Sequence, residues 1–343
     1  SGYFQGVEVL TTPRPGPGPD VLVRVVLTPG KPRTWTTGLG YATDTGAKFR
    51  LDFRNQRLNE MGHQFEFKSQ VSKVLGAGTV SYRLPDGNRH DEWFSINTGY
   101  KYENPEDSRS DEFRLGLQQN RRRRDDWHET RFVDYIHENY RVGDERGTSD
   151  LIVPGISWAE QPLLLTGRPR YGRRLKLKLS GTGEWLGSDT AFMQLETGGK
   201  LILPLGSNAR LLTRIEAGWT IKDEFSDLPF SVRYFSGGDG SVRGYDYKTL
   251  GPTDIDGNVV GGANKLVGSV EFDAQVFDNW SAAVFVDSGN AFNSFSDMSL
   301  KTSVGAGIRW YSPLGPVRFD VGVPLDDDAP DSWRIHISLG PDL

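Results

Sequence analysis

Lys48-Phe49-Arg50-Leu51-Asp52-Phe53-Arg54 places an apolar residue at every odd position and a charged one at every even position. Successive side chains of a strand point to opposite faces, so this stretch makes a sheet with one apolar and one ionic face. Asp44-Thr45-Gly46 supplies a turn just before it, and Trp35, Thr37, Leu39 and Tyr41 share one face of the strand before that. The pattern returns where Phe65 and Phe67 alternate with Gln64, Glu66 and Lys68, and where Leu175, Leu177 and Leu179 alternate with Arg174, Lys176 and Lys178. Near the chain end Trp333, Ile335, Ile337 and Leu339 alternate with Arg334, His336 and Ser338.

Composition narrows what such sheets can be. The 343 residues are 25% charged, with a net charge of −5 and a mean hydropathy of −0.50. No stretch approaches the ~20 apolar residues that a membrane-spanning helix needs. A soluble protein fits these values, and so does a transmembrane barrel, whose polar lumen dilutes the average. The chain has no cysteine, which excludes disulfides and thiolate metal sites, and its five histidines show no metal-ligand spacing. Forty-one glycines and twelve tyrosines against three methionines favour strands and turns.

Charged residues facing a closed interior, with Phe, Leu, Trp and Tyr outside, invert the soluble barrel and match a lipid-facing wall around a watery lumen. The competing reading is an open antiparallel sheet or soluble sandwich, but so many strands of one polarity favour the membrane barrel. Trp35, Tyr41, Trp93, Tyr100, Tyr102, Trp219, Trp280, Trp310 and Tyr311 read as interfacial girdles. Counting from Thr34 to Leu339 gives about sixteen strands, the eleventh near Ala209–Thr220 and the twelfth near Lys265–Gln275. The seventh, Trp127–Val142, alternates poorly around Asp134 and Tyr135, leaving its register open; Gln161 to Gly172 interrupts the pattern after the eighth.

Residues 1–30 read as a separate unit, with strands at Val7-Glu8-Val9 and Val21 to Leu27, a Pro/Gly turn between them, and Thr28-Pro29-Gly30 as linker. Two strands are too few to stand alone in water. The barrel is expected over 31–343.

One segment, about 222–263, breaks the alternation. Its centre is Gly237-Gly238-Asp239-Gly240-Ser241-Val242-Arg243-Gly244-Tyr245. A connection of about forty residues is far longer than a hairpin turn and points to function. Outward Val270 and Phe272 put Glu271 inside, and outward Val284 and Val286 put Phe285 and Asp287 inside. A loop arginine folded into the lumen needs such carboxylates, because an unpaired interior guanidinium is costly, and its planar fork can hold two of them. The alternative is a solvated surface loop.

Val242-Arg243-Gly244-Tyr245 between strands eleven and twelve, Glu271 on strand twelve, and Val284-Phe285-Val286-Asp287-Ser288-Gly289 on strand thirteen together resemble the BamA/TamA outer-membrane assembly superfamily. The resemblance implies that the loop tip enters the lumen, where acidic wall residues hold the arginine. Ser1 to Val9 resembles the second half of a POTRA domain, Lys31 to Gly40 the passage into the first barrel strand, and Gly340-Pro341-Asp342-Leu343 the TamA-type chain end. The chain is therefore expected to open within a longer protein, residues 1–30 being the C-terminal part of a last POTRA domain in the periplasm. One departure is a final leucine where phenylalanine is common.

What the resemblance implies is an outer-membrane factor that inserts or secretes β-barrel or autotransporter substrates, with membrane lipids and a TamB-like periplasmic protein as partners. A lateral seam would lie between the first and last strands, at Trp35, Gly38 and Gly40 against Trp333, Ile335, Ile337 and Gly340; the glycines pack weakly and Pro341 cuts the ladder short. No catalytic constellation, cofactor cradle or metal site emerges, so an enzyme is not expected. Arg121 to Arg124, followed by Asp125-Asp126, reads as a turn touching headgroups or the POTRA surface, since net acidity argues against nucleic acid. Asp326-Asp327-Asp328 reads as solvated residues of the last extracellular loop, with divalent-cation contact as the alternative. Alternatives are a two-partner-secretion transporter that passes its substrate through the lumen, and a passive porin or receptor.

Overall fold

The computed structural model describes residues 4–13, 21–42, 44–86, 92–123, 127–160, 168–222, 224–312, 315–326 and 333–339. β1 (Phe4–Pro13) and β2 (Val21–Pro29) form an antiparallel hairpin by themselves. The strand runs through Thr28 and Pro29, expected as linker, because Pro29 and Thr28 pair with Phe4 and Gly6. Its apolar residues, from Val7 and Val9 to Val25 and Leu27, are exposed.

The other sixteen strands close into one antiparallel barrel. Its first half comprises β3 (Arg33–Ala42), β4 (Gly46–Asn55), β5 (Gln64–Val71), β6 (Leu75–Pro85), β7 (Trp93–Glu103), β8 (Ser108–Arg122), β9 (Trp127–Val142) and β10 (Glu145–Glu160). The second comprises β11 (Gly172–Thr182), β12 (Phe192–Leu205), β13 (Ala209–Lys222), β14 (Asn264–Phe277), β15 (Trp280–Phe292), β16 (Lys301–Ser312), β17 (Gly315–Pro324) and β18 (Arg334–Leu339). Every neighbour in the ring is antiparallel, so β3, β13 and the other upward strands leave the hairpin end and the long loop emerges at the far end.

The barrel is apolar outside. Leu39, Ile215, Val284, Val286 and Ile308 are exposed on the outer wall, while Glu66, Glu271, Asp273, Asp287 and Arg309 are buried within. Lipid, not water, suits such a surface. Two of the expected girdle aromatics face inward instead. Trp93 lies under Arg83 in the lumen, and the buried Tyr311 hydroxyl donates to Asp273. Both rings have polar atoms or cations to meet inside, which the strand pattern alone does not reveal.

β9 is regular after all: it pairs with β8 and β10 without a register shift, Asp134 inward and Tyr135 outward. Its alternation reads poorly because the lumen here holds an apolar core. Ile136, Leu151, Val153 and Phe192 on the wall pack against Leu228 and Val232 of the loop, and Val142 packs with Phe230, Phe235 and Val259. Residues 161–167, Arg124 to Asp126, Asp327-Asp328, Ser1 to Tyr3 and Gly340 to Leu343 lie outside the described residues.

Candidate functional site: an arginine lock beside an incomplete seam

The loop between β13 and β14 folds back into the barrel. It is knitted by isolated bridges Tyr234↔Gly262, Ser236↔Leu250 and Thr253↔Val259, and seated on the two apolar clusters just described. Gly237 and Gly238 adopt positive φ, and the Gly238 N–H donates to the Tyr245 carbonyl at 3.0 Å, closing the tip into a compact turn. Val242 is fully buried with Tyr245, Leu250 and Val267.

Arg243 follows and fills the centre of the site. Its Nε donates to Asp287 Oδ2 at 2.7 Å and its Nη2 to Asp287 Oδ1 at 3.0 Å. Nη1 reaches Glu271 Oε2 at 2.9 Å and Asp320 Oδ2 at 3.1 Å. The guanidinium carbon lies 3.4 Å from the centroid of the Phe285 ring, a stacked cation–π contact. Burial pulls the Arg243 pKa down, but Asp287, Glu271 and Asp320 outweigh it and leave the group above its ordinary value.

The wall closes the network. Arg309 on β16 bridges Glu271 Oε1 at 2.9 Å and Asp320 Oδ1 at 2.5 Å, so two guanidinia and three carboxylates alternate. Ser269 donates to Asp287 Oδ1 at 2.6 Å, and the Arg243 backbone N–H reaches Oδ2 at 3.1 Å. Arg214 on β13 holds the carbonyls of Gly240 and Ser241. A buried ionic group persists only when it is paired and hydrogen-bonded, and here each carboxylate is.

Two glycines set the approach. Gly244 sits at φ +98° against the backbone of Gly322, where a side chain would be strained in conformation and tight in space. A Cβ on Gly289 would stand 2.7 Å from the Leu266 carbonyl and 2.8 Å from Val267, so glycine lets β15 close on β14 behind the lock.

Val242, Arg243, Gly244, Tyr245, Glu271, Phe285 and Asp287 thus meet in one place. Arg309, Asp320 and Ser269 complete it. These three lie outside the motifs of the sequence, yet outward Ile308 and Trp310 put Arg309 inside and outward Phe319 puts Asp320 there by the same parity.

The tip also reaches β4 and the last strand, β18. Asp239 pairs with Lys48 of β4 at 2.8 Å and with His336 Nδ1 of β18. His336 Nε2 accepts from the Gly244 N–H at 3.2 Å, Arg334 pairs with Asp246 at 2.8 Å, and the Tyr245 hydroxyl donates to Asp326 at 2.5 Å. Burial and the charge of Asp239 raise the pKa of Asp44, in the β3–β4 turn. Elsewhere the loop is tied by Arg233 to Glu145 at 2.9 Å and by Lys248 to Glu103 at 3.0 Å.

Across the seam the register pairs among the described residues are two, His336↔Ala42 and Ile337↔Tyr41. The other edge of β3 pairs continuously with β4 from Arg33↔Asn55 to Ala42↔Gly46. Trp35 points outward and leans on Phe53, 4.4 Å between ring centroids, and Trp333 is exposed. Gly38 and Gly40 lie on β3 near the pairs, Ile335 lies on β18, and Gly340 is outside the described residues.

Residues 30–342 match the family model of the Omp85 superfamily domain. The outer membrane protein assembly factor BamA of Nitratidesulfovibrio vulgaris is 29% identical over 312 residues, which cover 85% of this chain and 36% of that protein. The chain thus spans little more than a third of this relative. Among solved structures, BamA from Haemophilus ducreyi lacking POTRA domains 1–3 superposes with a TM-score of 0.81 at 17% identity, over 98% of this chain and 75% of that one. CdiB from Acinetobacter baumannii gives 0.64 at 14%, over 98% and 65%. At such identities the likeness to these structures is one of fold.

Proposed function

Because the chain belongs to the Omp85 superfamily of bacterial outer-membrane barrels, we propose that it is the membrane part of an assembly factor that inserts β-barrel or autotransporter substrates through the β3–β18 seam. The observation that carries this reading is the seam itself, with two register pairs among the described residues where every other interface of the barrel has at least five. Unpaired strand edges template an incoming strand, so a seam that parts offers a substrate both a backbone ladder and a route into lipid. The arginine lock holds the loop in the lumen, which supports a barrel that keeps its shape while one interface opens. No covalent chemistry is involved.

The β1–β2 hairpin is the C-terminal part of a POTRA domain in this reading. Its exposed apolar residues need further chain to cover them. We assign the protein to the TamA type, with a TamB-like periplasmic partner, on the sequence at Ser1–Val9 and Gly340–Leu343. Co-purification of the full protein with such a partner tests that assignment.

Secretion through the lumen, as a two-partner transporter would perform, is disfavoured by the loop, whose apolar clusters and ion pairs narrow the interior. The function is tested in liposomes carrying the full protein. The expected result is folding of a denatured β-barrel client into the bilayer with little steady conductance. Large steady conductance without client folding would instead establish a porin.

A further inference from the structure

The outer wall behind the lock is indented. The register aligns Leu175, Gly199, Ile215, Gly268 and Ser288 in one row across β11 to β15, and Arg173, Leu201, Thr213, Val270 and Val286 in the next. Where Gly199 and Gly268 lack side chains the wall sinks into a cavity of about 540 Å³, lined by Leu175, Leu201, Ile215, Val270 and Val286. Strand spacing makes this groove roughly 19 Å long, and the distance between rows makes it roughly 7 Å wide.

The groove is also inclined. Arg173 is the second residue of β11, which starts at Gly172 at the hairpin end of the barrel. At the other extreme Val286 is the seventh residue of β15, which starts at Trp280 at that same end. The groove therefore climbs from the rim toward the middle of the apolar belt. Its low end carries charge: the Arg173 side chain is 55% exposed beside Glu160.

We infer that this groove holds one acyl chain of a glycerophospholipid whose phosphate sits on Arg173. A hollow in a wall facing hydrocarbon forfeits dispersion contacts unless something fills it. A helix, about 10 Å across, is too thick and would need a groove running the full span. A single hydrocarbon chain fits the width and the incline. Nε and Nη2 of Arg173 face the Glu160 carboxylate, which leaves the exposed Nη1 edge of the guanidinium for phosphate at the rim, with Glu160 beside it for a headgroup amine. The floor of the groove is the same backbone that presents Ser269 and Arg214 to the lock, so the lipid packs against the outside of the site.

The test uses protein purified in mild detergent, supplied with phosphatidylethanolamine or with diacylglycerol of the same chains, and weighed by native mass spectrometry. Gly268→Leu is the decisive variant, because a Cβ there meets only the Ser288 carbonyl, 4.0 Å away, and the side chain would fill the groove. Wild type should retain one phospholipid in preference to diacylglycerol. Gly268→Leu should lower retention about tenfold with unchanged heat-modifiable migration. Arg173→Gln should abolish the preference for phosphate. Equal retention by wild type and Gly268→Leu overturns the site, and equal retention of both lipids by wild type overturns the headgroup contact.

Discussion

Replacing Arg243 with alanine removes the guanidinium shared by Asp287, Glu271 and Asp320. Two of these carboxylates keep a cation, since Arg309 still reaches Glu271 and Asp320. Asp287 does not. Fully buried, it retains the Ser269 hydroxyl and the residue 243 backbone N–H. One stranded buried carboxylate costs about 3–5 kcal/mol, which multiplies the undocked population of the loop tip by roughly two to three and a half orders of magnitude. A thiol reads this cleanly, because the protein has no cysteine of its own and Val242 is fully buried. Val242→Cys should resist maleimide in the parent and react at least about a hundredfold faster alongside Arg243→Ala. Adding Asp287→Asn should recover part of the protection by removing the stranded charge. Labelling within a factor of about three of the parent would show instead that the tip owes its place to its apolar contacts alone.

Three further outcomes are expected. Gly289→Val should cost about 1–3 kcal/mol through overpacking, read as a lower urea midpoint, because its Cβ has nowhere to go between Leu266 and Val267. Burial pushes Lys248 down to about 8 from 10.5 despite the pull of Glu103. The unfolded chain thus binds that proton more tightly, and stability should rise from pH 8 to about 9.5, below the tyrosine range; Lys248→Met should flatten that slope. Asp239→Asn weakens the contacts to Lys48 and His336 together and should raise hydrogen exchange in β4 and β18 while leaving β14 and β15 protected.

Much of this was legible in the chain. Strict alternation in β4, β14 and β15 places Glu271, Phe285 and Asp287 inside a barrel because lipid and lumen impose opposite polarity on neighbouring residues. The same rule obscures β9 and β10. Ile136, Leu151 and Val153 are apolar yet inward, since they face the loop's Leu228 and Val232 rather than water. Tyr311 and Trp93 misled for a related reason, having polar partners inside. The contacts of Asp239 with His336 and of Asp246 with Arg334 have no local signature. They depend on the path of an irregular loop across 97 and 88 residues of sequence.

In the function we propose, the β3–β18 seam must part for the protein to work. Tyr41 and Ile337 face each other across it as a register pair, within disulfide reach for antiparallel neighbours. Tyr41→Cys with Ile337→Cys, oxidised to completion in the full protein, should stop client folding into liposomes and regain it on adding reductant, while each single variant works throughout. Undiminished client folding by the fully cross-linked barrel would show that the seam need not part.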